Sequence, residues 1–218
     1  MKILITAGST HEHIDPVRYI TNASSGLQGI CIANEAIVDN FVCQNNEVIL
    51  ILGPNTTKHL LKNSPKLTVI EVTSADEMYE AAMRYFPSCD VAICSAAVGD
   101  YKVKNISTDK IKRNGDSLIL ELIPNHDIAK SLGAIKTDKQ KLIGFALETS
   151  NGLENAKSKI TKKNLDFVVL NETSVSNPAF GSDSNIVKFI SKDGTIQEFD
   201  KMLKEDIAWE IIKLINIC

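Results

Sequence analysis

Short runs of apolar, largely β-branched residues recur along this chain and are separated by segments with helical periodicity. The runs cover residues 2–8, 47–53, 67–72, 90–98, 141–146 and 166–171. Unbroken apolar runs of this length are typical of parallel strands buried on both faces. Their alternation with helices predicts an α/β protein, a three-layer Rossmann-like sandwich on a largely parallel sheet.

Three segments between these runs have helical patterns. The first presents one apolar face, formed by Leu27, Ile30, Cys31, Ile37 and Val38. Residues 74–86 begin with a serine cap followed by acidic residues, and residues 149–165 carry basic residues near their end. Both charge distributions complement the helix dipole.

The C-terminal quarter has a different pattern. Two alternating runs in residues 185–199 flank Asp193-Gly194, which predicts a β-hairpin arm. A lone hairpin is marginally stable, so we expect it to pack on the sheet or on a second subunit. A final helix over roughly 201–215 has an apolar stripe formed by Met202, Leu203, Ile207, Ile211, Leu214 and Ile215.

Composition limits the class of protein. The 218 residues contain no internal polar linker, which favours a single domain, 1–218. A hydrophobic content of 44% and a net charge of −3 indicate an ordinary globular protein without the basic field of a nucleic-acid binder. We also expect no membrane partner and a cytoplasmic location, since no apolar run approaches roughly 18 residues and no signal peptide is apparent.

The five cysteines predict neither a zinc site nor a disulfide framework. They form no CxxC pair and have no histidine at ligand spacing, so we expect small core residues in a reduced compartment. His11 and His13 lie two residues apart without a third ligand, and we expect both to be solvated loop residues.

A polar connection of about 17 residues links the first strand to the first helix, and connections of that length tend to be functional. It ends in Asn22, Ser24, Ser25 and Gly26. These small residues either leave the helix N-terminus open to an anion or form an ordinary Ser N-cap, and the stretch alone favours the cap. Arg18 binds a phosphate or carboxylate, or forms a surface ion pair.

Ligands of open parallel sheets collect beyond the carboxyl ends of the strands, which directs attention to residues 8–29, 95–113, 123–127, 144–150 and 171–185. In "SAAVGDY" (95–101), small residues leave room for a flat ligand, and Asp100 either contacts that ligand or is a turn residue. Phe145 either stacks on a base or packs in the core. Lys159 and Lys163 lie at i, i+4, where they meet phosphates or form a solvated face.

The basic stretch 102–116 also allows two interpretations. It carries Lys102, Lys104, Lys110, Lys112 and Arg113 with little apolar periodicity. The stretch is either a solvated loop or a mobile lid whose cations neutralise the charge that develops during phosphoryl or nucleotidyl transfer.

Seven segments together resemble one enzyme family across nearly the whole chain. They are "ITAGSTHEHIDPVRYITNASSG", "AAVGDY", "KIKR", "LELIPNHDIAK", "GFALET", "KKNLDFVVLNE" and "FGSDSN". In this order and spacing they are similar to the phosphopantothenate–cysteine ligase of coenzyme A biosynthesis, the ligase half of a bifunctional bacterial flavoprotein.

The resemblance implies a reaction in two steps. The carboxylate of 4′-phosphopantothenate attacks the α-phosphate of CTP in the presence of Mg²⁺, and the acyl-cytidylate then reacts with L-cysteine. ATP is the alternative cosubstrate, and the metal ligands remain unassigned. The resemblance also implies a homodimer with the C-terminal hairpin region at the contact, and a separate phosphopantothenoylcysteine decarboxylase as a partner.

The resemblance further implies roles for individual residues. Lys110, Asn22 and Arg18 match catalytic positions. The phosphopantothenate site would include Asn22, Ser24, Ser25 and Gly26. The nucleotide site would include Gly8, Ser95, Ala96, Asp100, Lys110, Ile123, Pro124, Asn125, His126, Phe145, Lys159 and Lys163.

This chain departs from the family pattern at His11, Leu27-Gln28, Gly99 and His126. Two other classes remain as alternatives. An NAD(P)-binding oxidoreductase would have a similar strand pattern, but the glycines at 8, 26 and 29 do not form G-x-G-x-x-G. A non-catalytic nucleotide-binding dimer of the same fold would bind nucleotide without cysteine-dependent release of pyrophosphate.

Overall fold

The structure is a computed structural model, and it describes residues 1–38, 45–54, 57–113, 115, 117–173 and 181–217. Over those residues the strands are β1 (Lys2–Ala7), β2 (Glu12–Asp15), β3 (Arg18–Ile20), β4 (Glu47–Leu52), β5 (Leu67–Glu71), β6 (Val91–Cys94), β7 (Tyr101–Val103), β8 (Leu122–Pro124), β9 (Lys141–Glu148), β10 (Phe167–Glu172), β11 (Ser184–Asn185), β12 (Val187–Ser191), β13 (Ile196–Glu198) and β14 (Met202–Leu203). The α-helices are α1 (Leu27–Ala36), α2 (Ala75–Tyr85), α3 (Ile128–Ile135), α4 (Gly152–Lys163) and α5 (Lys204–Ile217).

An eight-stranded sheet forms the middle layer, in the order β13-β12-β10-β9-β6-β1-β4-β5. The six strands from β10 to β5 are parallel, and β12 and β13 add to the β10 edge in antiparallel fashion. The predicted C-terminal hairpin therefore packs on the sheet. The chain runs outward from β1 to β4 and β5, then returns to the other side of β1 with β6. This reversal makes the β1–β6 boundary a topological switch point.

Helices cover both faces of the sheet, which confirms the predicted three-layer sandwich. Helices α1 and α5 pack on one face with Ile3 and Ile5. Helices α2, α3 and α4 pack on the other face with Leu4 and Leu142. Successive residues of a central strand point into opposite hydrophobic layers. Both sets of side chains must therefore be apolar, which explains the unbroken apolar runs in the sequence. Among the described residues, no helix is long and apolar enough to cross a bilayer.

The start of α1 differs from the expected Ser N-cap. Gly26 is the N-cap residue, with φ 77°, and no side chain caps the helix there. Ser24 and Ser25 instead accept hydrogen bonds from the N–H groups two residues further on, at 3.2 and 3.4 Å. Gly29 serves close packing, because a Cβ at this position would lie 2.4 Å from Cβ of Ala7.

The predicted boundaries of α2 and of the C-terminal turn are confirmed. Ser74 and Glu77 form a reciprocal capping box at the start of α2. In the turn between β12 and β13, Gly194 has φ 93°. The Ser191 hydroxyl and the Thr195 N–H donate to the carboxylate of Asp193, and these hydrogen bonds hold its pKa at about 2.

The long connection after β1 is not a plain loop. Strands β2 and β3 form an antiparallel hairpin inside it. The prediction for His11 was wrong: the side chain is 7% exposed and its ring stacks on Tyr19 with centroids 3.7 Å apart. The pKa of His11 is lowered, mainly by burial and to a smaller extent by the nearby His13. His13 is partly buried and lies edge-on to Tyr19.

Other elements were also missed or given different bounds. Strand β7 overlaps the start of the predicted basic loop, and β8 follows the loop. Because the two strands pair, the loop connects the strands of a two-stranded ribbon. Helix α3 was not predicted. Strand β6 ends at Cys94, and residues 95–98 of the predicted run continue as a loop.

Candidate active site

The loops that follow β1 and β6 meet at the topological switch point. Ala97 donates its N–H to the carbonyl of Gly8 at 2.9 Å, and a parallel bridge joins Ser9 to Ala97. The Asn22 carboxamide, from the segment before α1, donates to the carbonyl oxygens of Ala97 and Val98, both at 3.1 Å. The structure thereby gives Asn22 a fixed position above the end of β6.

A cavity of about 460 Å³ opens at this point, a volume within the range of small-molecule sites. We call it the main cavity. It brings together eight predicted site residues, namely Asn22, Ala96, Asp100, Asn125, His126, Phe145, Lys159 and Lys163. The rest of its lining is Thr6, Cys94, Ala97, Val98, Gly99, Asp127, Ile128, Ala129, Gly144, Leu147 and Leu165.

Three consecutive residues before α3 form one wall of the main cavity, and each contacts a different part of the fold. Asn125 donates its side-chain N–H to the Gly99 carbonyl and its backbone N–H to the Asp100 carbonyl, both at 2.8 Å. The ring of His126 stacks on Tyr79 of α2 with centroids 4.4 Å apart. Asp127 caps α3 through the backbone N–H of Lys130. These contacts fix the wall against the loop after β6, α2 and α3.

Asn125 also carries an unmet hydrogen-bonding group. Its Oδ1 is buried and has no partner among the residues that the structure describes. Leaving a buried acceptor unpaired costs about 1–3 kcal/mol. A ligand with an N–H or O–H donor at this wall would recover that cost.

The two lysines of α4 reach the main cavity and are each paired with an acid. Lys159 lies 2.6 Å from Glu148, and Lys163 lies 2.9 Å from Asp127. Burial opposes ionisation of Glu148, but hydrogen bonds from Lys159 and Asn155 outweigh it and lower the pKa of this carboxyl. Neither lysine belongs to a purely solvated face.

The described cysteines fit the core role expected from the sequence. Cys31 and Cys89 are buried and Cys94 is partly buried, whereas Cys43 and Cys218 lie outside the described residues. Burial raises the pKa of Cys94 to about 12, so its thiol stays neutral in the cavity wall.

A second, smaller cavity of about 180 Å³ adjoins the first, and we call it the side cavity. Four residues line both cavities, namely Ala96, Ala97, Phe145 and Leu147. The predicted residues Ser24, Ser25, Gly26 and Ser95 line the side cavity, together with Leu27, Gln28, Gly29, Ala97, Ala146, Leu147, Asn171, Asn185, Val187 and Lys204.

Three polar residues of the side cavity, Asn171, Asn185 and Lys204, were not named as site residues from the sequence, although the first two belong to the segment 171–185 singled out at a strand end. Asn171 and Asn185 are buried, and their Oδ1 atoms have no partner within the described part of the chain. Lys204 donates to the Ser182 carbonyl at 2.5 Å, and burial lowers its pKa. The position of Asn171 at the end of a buried strand was the one available signal, because ligands collect at strand ends.

The remaining predicted residues do not line either cavity. Gly8 contributes only its carbonyl to the switch point, and Ile123 and Pro124 pair with Lys102 and Tyr101 in the ribbon. Lys110 and Arg18 line a third concavity of about 630 Å³, which we call the basic depression. Its other residues are Ile111, Lys112, Arg113, Gly115, Ser117 and Leu118.

Arg18 forms the ion pair considered in the sequence analysis, but its partner is buried. Its guanidinium binds Asp15, whose side chain has no exposed area. This ion pair therefore holds Arg18 in the lining of the basic depression.

Known proteins match this chain over nearly its full length. A family model of the DNA/pantothenate metabolism flavoprotein C-terminal domain matches residues 1–217. A cysteine/cysteine sulfinic acid decarboxylase from an unknown prokaryotic organism is 42% identical, over 98% of this chain and 57% of its own length. The coenzyme A biosynthesis bifunctional protein CoaBC of Borreliella burgdorferi is 39% identical, over 98% of this chain and 52% of its own length.

Among solved structures, the crystal structure of the C-terminal domain of a coenzyme A biosynthesis bifunctional protein CoaBC is 40% identical, with a TM-score of 0.79. The alignment covers 99% of this chain and 94% of that domain. The chain spans about half the length of the curated relatives it matches. Since the family model covers nearly every residue, this chain belongs to the family of DNA/pantothenate metabolism flavoprotein C-terminal domains.

Proposed function

We propose that this chain is a phosphopantothenate–cysteine ligase that activates its acid substrate with CTP. One observation carries the proposal: residues from five separate segments of the resemblance line a single cavity at the switch point of the sheet. The similarity to the C-terminal domain of CoaBC supports the same conclusion.

The reaction begins when a carboxylate oxygen of 4′-phosphopantothenate attacks the α-phosphorus of CTP. The bond to the β-phosphate oxygen breaks, and pyrophosphate leaves with that electron pair. The amine of L-cysteine then attacks the acyl carbon, loses a proton and displaces CMP. Activation is needed because a free carboxylate is a poor electrophile, whereas a mixed anhydride has a good leaving group.

The residues of the main cavity suit the nucleotide. Phe145 offers an aromatic face for the base, and the unpaired Oδ1 of Asn125 offers an acceptor for an exocyclic amine. Lys159 and Lys163 supply cations for the phosphates at the cost of their present ion pairs. Asn22, which also lines this cavity, would contact the acyl group of the intermediate.

The side cavity suits the acid substrate. Ser24, Ser25 and Gly26 place the N-terminus of α1 at its rim, and a helix N-terminus favours anions. Phe145, which lines both cavities, would separate the two substrates. Lys110 of the basic loop would act on the developing charge. Arg18 would support it by holding the loop through the Ile111 carbonyl.

The residues present fit a Mg²⁺ ion that is held mainly by the nucleotide. Among the described residues, no group of three His, Cys, Asp or Glu side chains lies close enough to bind a metal alone. Mg²⁺ in nucleotide sites commonly takes one or two carboxylates and completes its shell with phosphates and water. Asp100 supplies an exposed carboxylate at the cavity, and the ion would neutralise phosphate charge there.

A homodimer is part of the proposal. Tyr19 of the β2–β3 hairpin and Tyr101 and Leu122 of the β7–β8 ribbon are all at least 41% exposed. The two ribbons contact each other, so these apolar groups lie on neighbouring elements. Sedimentation analysis should give twice the chain mass of 23.9 kDa. A purely monomeric species at micromolar concentration would contradict this part of the proposal.

The enzymatic proposal is tested by incubating the chain with 4′-phosphopantothenate, L-cysteine, Mg²⁺ and each of CTP, ATP, GTP and UTP in turn. We expect CTP to give equal amounts of pyrophosphate, CMP and the cysteine adduct. Omitting cysteine should limit pyrophosphate to about one equivalent per site. Nucleotide binding without cysteine-dependent turnover would instead indicate a non-catalytic binding protein.

A further inference from the structure

The carboxylate of Asp15 is buried at the end of β2 and is surrounded by N–H donors. Oδ1 accepts the backbone N–H groups of Val17 and Arg18, both at 2.9 Å. Oδ2 accepts two N–H groups of the Arg18 guanidinium and, at 3.1 Å, the backbone N–H of Ile111. The last of these bonds joins residues 96 positions apart in the chain.

Arg18 completes the attachment of Ile111. Its Nη2 donates to the Ile111 carbonyl at 2.9 Å. Asp15 thus binds the N–H of Ile111 while Arg18 binds its C=O. We call this arrangement the Asp15–Arg18 clasp. Close by, Ser107 donates its N–H to the carbonyl of Ile14 at 3.0 Å.

The clasp holds the backbone N–H and C=O of position 111, so it fixes the path of the basic loop for any residue there that has a backbone N–H. Lys110 immediately precedes this point, and Lys112 and Arg113 follow it. All three cations are exposed. The side-chain hydrogen bond from Arg18 keeps the pKa of Asp15 well below its usual range, so the clasp stays charged near neutral pH.

We propose that Asp15 is a positioning residue for Lys110: with Arg18 it fixes the backbone at Ile111 and thereby sets where the Lys110 ammonium lies during nucleotidyl transfer. The consequence for catalysis rests on the proposed function. The docking of the loop does not, because it depends only on hydrogen bonds between described residues.

The docking is tested with Asp15→Asn, which keeps one acceptor oxygen and removes the charge. Amide hydrogen exchange at Ile111 and tryptic cleavage after Lys110 both report release of the loop. A hydrogen bond to a charged group contributes enough that we expect exchange at Ile111 to accelerate about 10- to 100-fold. The matched control is Asp109→Asn, which makes the same chemical change at an exposed residue of the same loop outside the clasp.

Unchanged exchange at Ile111 in Asp15→Asn would overturn the proposal, as would equal acceleration in Asp109→Asn. A second pair of variants covers the case in which Asp15→Asn fails to fold. Ile111→Pro removes the donated N–H, whereas Lys112→Pro removes an N–H that forms no backbone hydrogen bond in the described structure. We expect accelerated tryptic cleavage after Lys104 and Arg113 in Ile111→Pro alone, and the same cleavage in both variants would overturn the proposal.

The link to Lys110 is tested by a double-mutant cycle on pyrophosphate release. Asp15→Asn should lower kcat with little change in KM for CTP. In a Lys110→Ala background, it should lower the residual kcat by less than about twofold, because residues that act through one another are not additive. Equal losses in both backgrounds would assign Asp15 a general structural role. If the unaltered chain shows no turnover, the proposed function fails while the exchange result still decides the docking.

Discussion

Replacing Lys163 with methionine should weaken nucleotide binding far more than it weakens the fold. The substitution removes the ammonium and keeps most of the apolar stem, so packing along α4 is largely preserved. In the structure the Lys163 ammonium lies 2.9 Å from the carboxylate of Asp127. The two side chains are 27% and 42% exposed.

These exposures determine how much folding stability the substitution should remove. Solvent-accessible ion pairs typically contribute about 0.2–1 kcal/mol to stability, because water screens the attraction. For a chain of this length, 1 kcal/mol lowers Tm by roughly 2–4 °C. We therefore expect a fall in Tm of no more than about 4 °C.

The functional cost should be larger if Lys163 contacts a phosphate of the nucleotide. A hydrogen bond between charged groups in a partly enclosed site contributes about 1.5–3 kcal/mol. That free energy corresponds to a rise in KM for CTP of roughly tenfold to a hundredfold. The rate at saturating CTP should fall less, because the lysine would bind ground state and transition state alike.

The assay is initial-rate pyrophosphate release with CTP varied, alongside thermal unfolding of the same samples. Lys162→Met is the matched control, since Lys162 is the exposed neighbour on the same helix and does not line the main cavity. A KM in Lys163→Met within twofold of the unaltered chain would refute the assignment. Equal KM changes in the two variants would refute it as well.

Three further outcomes are expected. Lys110→Ala should lower kcat for pyrophosphate release by about 100- to 1,000-fold, to a residual rate that can still be measured. Tm should be unchanged because this lysine is exposed, and normal turnover would remove it from the mechanism. Gly29→Ala should lower Tm by roughly 4–8 °C, and a higher Tm would contradict this. Overpacking against Ala7 should destabilise the fold by about 3 kcal/mol, whereas the higher helix propensity of alanine should stabilise it by about 1 kcal/mol. The pKa of Asp193 is about 2, below its ordinary value, so its ionised form stabilises the fold above about pH 4 and this contribution is lost as pH falls toward 2. Unfolding of Asp193→Asn across pH 2–6 should therefore converge with the unaltered chain at the acid end, and a constant difference would contradict this.

The sequence was informative about elements whose signal is local. The parallel strands were predicted from their continuous apolar runs, because five of the six are buried on both faces and only the edge strand β5 is partly exposed. The start of α2 was predicted because Ser74 and Glu77 satisfy its N–H groups from within the same turn. The turn at Asp193-Gly194 needs a positive φ that glycine adopts readily, and the residue type reveals that need.

Short elements without a strong local pattern were missed. Strands β2 and β3 have only four and three residues, and β3 is exposed throughout. His11 is buried and stacks on Tyr19, and no spacing rule predicts either property. Helix α3 is a short helix of eight residues whose register depends on packing against its neighbours.

The candidate site was also predicted only in part. Eight residues named from the motifs line the main cavity, because the ends of neighbouring parallel strands meet at one edge whatever the intervening chain. Their binding roles stay predictions. Lys110 and Arg18 were expected beside them and instead occupy the basic depression.

By itself, the sequence determined the class of fold and the strand ends where a ligand would bind, since both follow from hydrophobic periodicity and chain direction. Only the tertiary structure decided that Asp15 and Arg18 hold Ile111, and that Asn171 and Asn185 enter the side cavity. Those placements depend on hydrogen bonds and packing between segments far apart in the chain, whose geometry no local pattern encodes.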